Sequence, residues 1–67
     1  MNQSNTATNN LMVELTEAQA WAFAQLLKRV ATDDYRRLAK NDDEAYAMRE
    51  AGDALRSALA AHGYAPR

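Results

Sequence analysis

LTEAQAWAFAQLLKRV, residues 15–30, decides how this chain can fold. Ala20, Phe23, Ala24, Leu27, Val30 and Ala31 recur at the spacing that gathers side chains onto one face of an α-helix, with Trp21 and Leu26 on its flanks. The start of that helix is written just ahead of it. Thr16 is a good N-cap for a helix beginning at Glu17, and Gln19 stands three residues on in capping-box position. Leu15 and Ala20 are placed to close a hydrophobic staple. The stretch also holds the only Trp and the only Phe of the chain, so the remaining residues are read as what covers it.

Downstream, the same helical phase passes through Tyr35 and Leu38 but meets Thr32, Asp33 and Asp34 on the way. Two arrangements fit: one helix running to about Lys40, or a break at Thr32-Asp33-Asp34 with Thr32 or Asp33 capping a short third helical segment. Thr and Asp side chains compete for nearby backbone groups and favour caps over interiors, which tips the reading towards a break. Asn41 is then the expected cap of the last helix. Asp42, Asp43 and Glu44 fill its first turn, where negative charge complements the helix dipole, and Glu44 stands in capping-box position.

The apolar stripe of this last helix is Ala45, Met48, Gly52, Leu55 and Leu59, with Arg49 and Asp53 spaced for an i,i+4 pair off its centre. Gly63 followed by Tyr64 and Pro66 reads as a Schellman-type stop, with His62 at the helix end. Gly52, in mid-stripe, costs about 1 kcal/mol against Ala. The expected return is close approach of an opposing helix or of a ring such as Trp21. Two apolar-faced helices joined by a short connection predict an all-α antiparallel helical hairpin.

Upstream, residues 11–15 (LMVEL) alternate, with Leu11, Val13 and Leu15 on one side and Met12 and Glu14 on the other. That suits a short extended segment leading into the helix. Nothing else in the chain reads as β, so the segment either pairs with its copy in a dimer or lies against the helices. Residues 1–10 are nearly all Asn, Gln, Ser and Thr, which cannot bury enough apolar surface to offset ordering entropy. They are expected to be a disordered polar tail, with residues 11–67 as the single helical domain.

A chain of 67 residues has room for one thin core. Without Cys it has neither disulfides nor thiolate metal sites, and small unstapled scaffolds usually complete their cores by self-association. A homodimer with a four-helix arrangement is therefore expected. Trp21, Phe23, Leu27, Val30, Met48, Gly52, Leu55 and Leu59 are assigned to the core or the dimer seam. No apolar run approaches the ~18 residues of a membrane span, and nothing resembles a signal peptide. A cytoplasmic protein without membrane association is the expectation.

The chemistry-bearing residues are sparse. Ser57 and His62 are five positions apart on one helix, which turns them to different sides, so they form no nucleophile–base pair. Asp42-Asp43-Glu44 lacks the alternating oxygen ligands and the Gly of a calcium loop. With no phosphate-binding Gly loop and no metal-ligand spacing either, no enzyme, cofactor or metal is expected. The denser signal is basic. Lys28, Arg29, Arg36, Arg37 and Lys40 are five of the eight basic residues, with Tyr35 among them and only Asp33 and Asp34 opposing. These six residues, Tyr35 included, are the candidate partner-binding surface, suited to an acidic protein surface or to phosphates.

Two resemblances bear on the reading. Strand, helix, turn and helix in so short a chain resemble the ribbon-helix-helix repressors, which implies a DNA-binding transcriptional regulator as the alternative function. Against it, Met12 and Glu14 would face the phosphate-lined groove, and the inter-helix turn is longer than usual and lacks its Gly. Separately, LTEAQAWAFAQLLKRV, DDYR at Asp33 to Arg36, EAYAMR at Glu44 to Arg49 and the ending GYAPR resemble a family of small uncharacterised proteins from proteobacteria and their mobile elements. That resemblance implies no site residues. It does imply that GYAPR belongs to the domain, and that the chain modulates a host protein from a phage, plasmid or integrated element. The combined expectation is a small non-enzymatic helical interaction protein that binds a macromolecular partner, a protein rather than nucleic acid.

Overall fold

A computed structural model describes residues 7–67; the tail expected at residues 1–10 therefore lies largely outside the described residues. Three helices follow one another: α1 Glu17–Arg29, α2 Thr32–Leu38 and α3 Asp42–Ala61. There is no β-strand among the described residues. α1 and α2 each pack on α3 and make no contact with one another. Their lengths explain the arrangement. At 1.5 Å per residue α3 spans about 30 Å, which the thirteen residues of α1 and the seven of α2 cover in tandem.

The start of α1 is as the residues require. The Thr16 hydroxyl accepts from the Gln19 N–H at 3.1 Å, and Gln19 Oε1 accepts from the Thr16 N–H at 2.9 Å. Two of the four N–H groups that a helix start leaves unpaired are met reciprocally. At the other end, Val30 and Ala31 both adopt extended backbone and separate α1 from α2.

A continuous helix to Lys40 is thus not formed, and the break falls earlier than Thr32-Asp33-Asp34. Neither Thr32 nor Asp33 caps the short helix. The cap position is Ala31, which has no acceptor, and Asp34 reaches back so that its Oδ2 accepts from the Ala31 N–H at 2.8 Å. Asp34 Oδ1 also accepts from Arg37 at 2.9 Å. The acidic pair did mark a helix start, but through the carboxylate of the third helical residue, Asp34, and not through a cap.

α3 begins on Asn41, whose Oδ1 accepts from the Glu44 N–H at 2.8 Å. The reciprocal half of the expected box is shifted by one residue, since Glu44 Oε1 accepts from the Lys40 N–H. The exit is a Schellman stop. Tyr64 N–H donates to Leu59 O and Gly63 N–H to Ala60 O, both at 2.9 Å, with Gly63 at φ +96°, a left-handed conformation that Gly adopts without a Cβ penalty. Tyr64 then meets Trp21 of α1 edge to face, ring centroids 5.2 Å apart. The GYAPR ending is in this way tied back onto α1. The expected Arg49–Asp53 pair is not made; the ion pairs among the described residues are Arg36–Asp33 and Arg37–Asp34 on α2.

The interior is built from small side chains. Ala20, Ala24 and Leu27 of α1 and Ala45 and Gly52 of α3 are its buried residues, and Leu27 is the one large side chain among them. Gly52 sits where three elements meet. A Cβ there would overlap the Tyr35 hydroxyl, come within 3.1 Å of Tyr35 Cζ and touch Leu27 at 3.7 Å. The ring that requires this glycine is Tyr35 of α2, not Trp21.

Candidate interaction surface

Because alanines and a glycine form the inner seam, the large apolar side chains are displaced outward. Leu26 is 53% exposed, Leu38 72% and Leu55 48%, and Phe23 and Trp21 are about two-fifths exposed. These positions are not scattered. Val13, Leu15, Ala22, Phe23, Leu26, Leu55 and Leu59 line one open groove of about 620 Å³ in which Gln19 is the only polar residue. A second depression, about 400 Å³, continues from Phe23, Leu26 and Leu55 to Val30, Leu38, Met48 and Ala51. The shared residues join the two into one apolar face running from residue 13 across α1 and α3 to the end of α2. Soluble monomers rarely leave a contiguous apolar surface of this kind open to water.

Of the residues assigned to the core or dimer seam, Leu27 and Gly52 are buried and Val30, Met48 and Leu59 half-buried. Trp21, Phe23 and Leu55 remain exposed within the single chain. Trp21 lies apart from the groove, against Tyr64. Val13 and Leu15, outside the residues expected in the core, line the groove with Phe23 and Leu59. Their alternation with Met12 and Glu14 was the signal that could have placed them there.

The basic cluster is divided by the fold. Tyr35 turns inward onto Gly52, so its ring belongs to the contact between α2 and α3. Arg36 pairs with Asp33 at 3.7 Å and Arg37 with Asp34 at 2.9 Å. Lys28, Arg29 and Lys40 take no part in the ion pairs of the described residues. The pairs are exposed and each is worth little in stability. They do offset the positive charge of α2, leaving an excess in the free cations at its two ends. Arg29, Arg37 and Asp34 line a third depression together with Ala22, Leu26, Val30 and Leu38, directly beside the apolar face. Arg37 is paired there with Asp34, so Arg29 is the cation that stands over the apolar floor outside the ion pairs of the described residues.

One titration is perturbed. Hydrogen bonding from the Ala31 N–H, then from Arg37, holds the Asp34 carboxyl below its ordinary value of 3.8. Asp43, Glu44, Tyr46, Ala47 and Glu50 line an acidic recess on the first half of α3. Ser57 and His62 are both exposed and line none of these depressions. No group of three or more His, Asp or Glu side chains is arranged to hold a metal among the described residues, and no helix among them is long and apolar enough to cross a membrane.

Residues 1–67 match a family described as a family of unknown function (DUF7706), and the chain belongs to it. Comparison with curated proteins and with solved structures returns no match in either.

Proposed function

We propose that this member of a family without an assigned activity is a small non-enzymatic interaction protein that works as a homodimer and binds a protein partner. The observation that carries the reading is the apolar face of Val13, Leu15, Phe23, Leu26, Leu38 and Leu55, left open while alanines fill the interior. A hairpin-like unit with such a face completes its core when α1 and α3 of two copies come together in a four-helix arrangement. The partner site is the neighbouring depression where Arg29 and Arg37 stand over Leu26, Val30 and Leu38. Its partner is a segment carrying acidic and apolar side chains. Such a protein would act in the cytoplasm, and modulation of a host protein by a mobile element suits it.

A catalytic reading finds little to build on, since the groove on the apolar face is lined by seven apolar residues and one glutamine. The DNA-binding alternative draws on the cluster of Lys28, Arg29, Arg36, Arg37 and Lys40, but both cations of α2, Arg36 and Arg37, are already met by Asp33 and Asp34.

The test is a paired charge reversal, Arg29→Glu with Arg37→Glu, in a protein whose helicity is checked by circular dichroism. The expected outcome is loss of a host protein captured by the unaltered chain, with dimer mass unchanged. Capture that survives both reversals removes the partner site from this depression. A shift of generic duplex DNA at low salt, released steeply as salt rises, would replace the protein-binding reading with the DNA-binding one.

A further inference from the structure

Residues 11–15 carry the least explained feature of the molecule. They alternate apolar and polar, yet none of their backbone N–H or C=O groups takes part in a hydrogen bond within the described chain. Leu11 is 85% exposed and Met12 97%, while Val13 and Leu15 reach the groove with Phe23, Leu26, Leu55 and Leu59. A row of unpaired peptide groups on an apolar, alternating segment is a template for another strand. No second such segment exists in this sequence, so the strand that fits it is its own copy.

We infer that residues 11–15 of two copies pair as a two-stranded antiparallel ribbon centred on Val13, closing over the apolar grooves of both chains. This rests on the dimer proposed above and specifies how it is closed. The register follows from the residues. Side chains directly opposite one another in an antiparallel pair lie on the same face, and a slip of one residue exchanges the faces. Centring on Val13 sets Val13 against Val13, Leu11 against Leu15, and Met12 against Glu14. All the apolar side chains then share one face, turned to the grooves. A shift of one residue sets Leu and Val against Met and Glu, and a shift of two leaves Leu15 opposite Asn9 or Leu11 opposite Glu17. Five residues is an ordinary strand length, and a ribbon so short is stable only when packed on something apolar, which the grooves supply. With Met12 and Glu14 on the outer face, the ribbon presents no cation to phosphate and serves association.

Cysteine substitution tests the register, since the chain contains no cysteine of its own. In the inferred ribbon the two Cα atoms of residue 13 lie about 4.5–5.5 Å apart, within the span a disulfide bridges. The two Cα atoms of residue 11 are offset by four residues, about 14 Å, which no disulfide bridges without rearrangement. Under mild oxidant, full-length Val13→Cys should become covalent dimer at least roughly tenfold faster than Leu11→Cys. An equimolar mixture of Leu11→Cys and Leu15→Cys should give the mixed dimer over either homodimer. Equal rates for Val13→Cys and Leu11→Cys, in a protein that light scattering shows to be dimeric, overturn the ribbon and leave the dimer standing. A monomeric mass at micromolar concentration overturns both.

Discussion

The inner seam of this protein and its outer face use opposite side chains. Against α3, α1 buries Ala20, Ala24 and Leu27, and α3 answers with Ala45 and Gly52; on the outside stand Phe23, Leu26, Leu38 and Leu55. The usual arrangement, with large apolar residues in and small ones wherever they fit, is inverted. Small residues let two helices approach closely, and the chain spends its alanines on that approach. Burial of each large apolar side chain is worth about 1.5–3 kcal/mol, and here most of that gain is withheld from the monomer. The difference between the two surfaces is therefore the argument for association.

The largest expected effect comes from destroying the inner seam. Gly52→Leu has no room beside Tyr35 and Leu27 and should cost about 3 kcal/mol or more, enough to unfold a domain this small, as a loss of helical ellipticity. The milder Gly52→Ala sets a gain of about 1 kcal/mol in helix propensity against overlap with the Tyr35 hydroxyl. Combined with Tyr35→Phe it should be more stable than alone. A Gly52→Leu protein that melts like the parent would show that α2 does not pack where the seam requires.

A matched pair of substitutions one turn from the seam's centre sharpens the contrast. Ala24→Leu, at a residue with 0% exposure, should lower stability by about 1–3 kcal/mol whatever the protein concentration. Leu26→Asp, on the exposed face, should leave the helices formed and halve the mass measured by light scattering. Identical behaviour of the two variants would erase the distinction between inside and outside.

The smallest effect is a pH dependence of α2. The lowered Asp34 pKa means that the ionised carboxylate is favoured in the folded chain, so its contribution is complete above 3.8 and is lost as pH falls through the lower folded value. Helicity should fall slightly in that acidic window, and Asp34→Ala should abolish the step while leaving α1 and α3 intact. A titration that stays the same in Asp34→Ala would assign the step to another carboxylate.

Much of the local structure was legible. Thr16 with Gln19, Asn41 with Glu44, and Gly63 with Tyr64 each mark a terminus by satisfying specific backbone groups, and those groups are neighbours in sequence. The break after Arg29 is legible in kind but not in place, because Thr32 or Asp33 is as good a cap by residue type as any, and the cap position is Ala31. The carboxylate of Asp34, three residues after Ala31, holds the Ala31 N–H instead. The apolar stripe of α1 was also legible as a set. Its division into a buried Ala20-Ala24-Leu27 line and an exposed Phe23-Leu26 flank was not, since periodicity gives the face and not how closely a neighbour approaches it. The basic cluster read as one patch, and folding separated it by turning Tyr35 inward and pairing Arg36 and Arg37.

By itself, then, the sequence determined the all-helical class, the capped ends of α1 and α3, and the alternation of residues 11–15, because each rests on groups within about one turn of each other. Only the tertiary structure decided that α1 and α2 lie in tandem along α3, that Tyr35 and not Trp21 needs Gly52, and that Trp21 meets Tyr64 instead. Those outcomes depend on the distance between helix axes, which side-chain volumes from distant parts of the chain set together. The same distance left the large apolar residues outside, and with them the surface on which this protein is proposed to act.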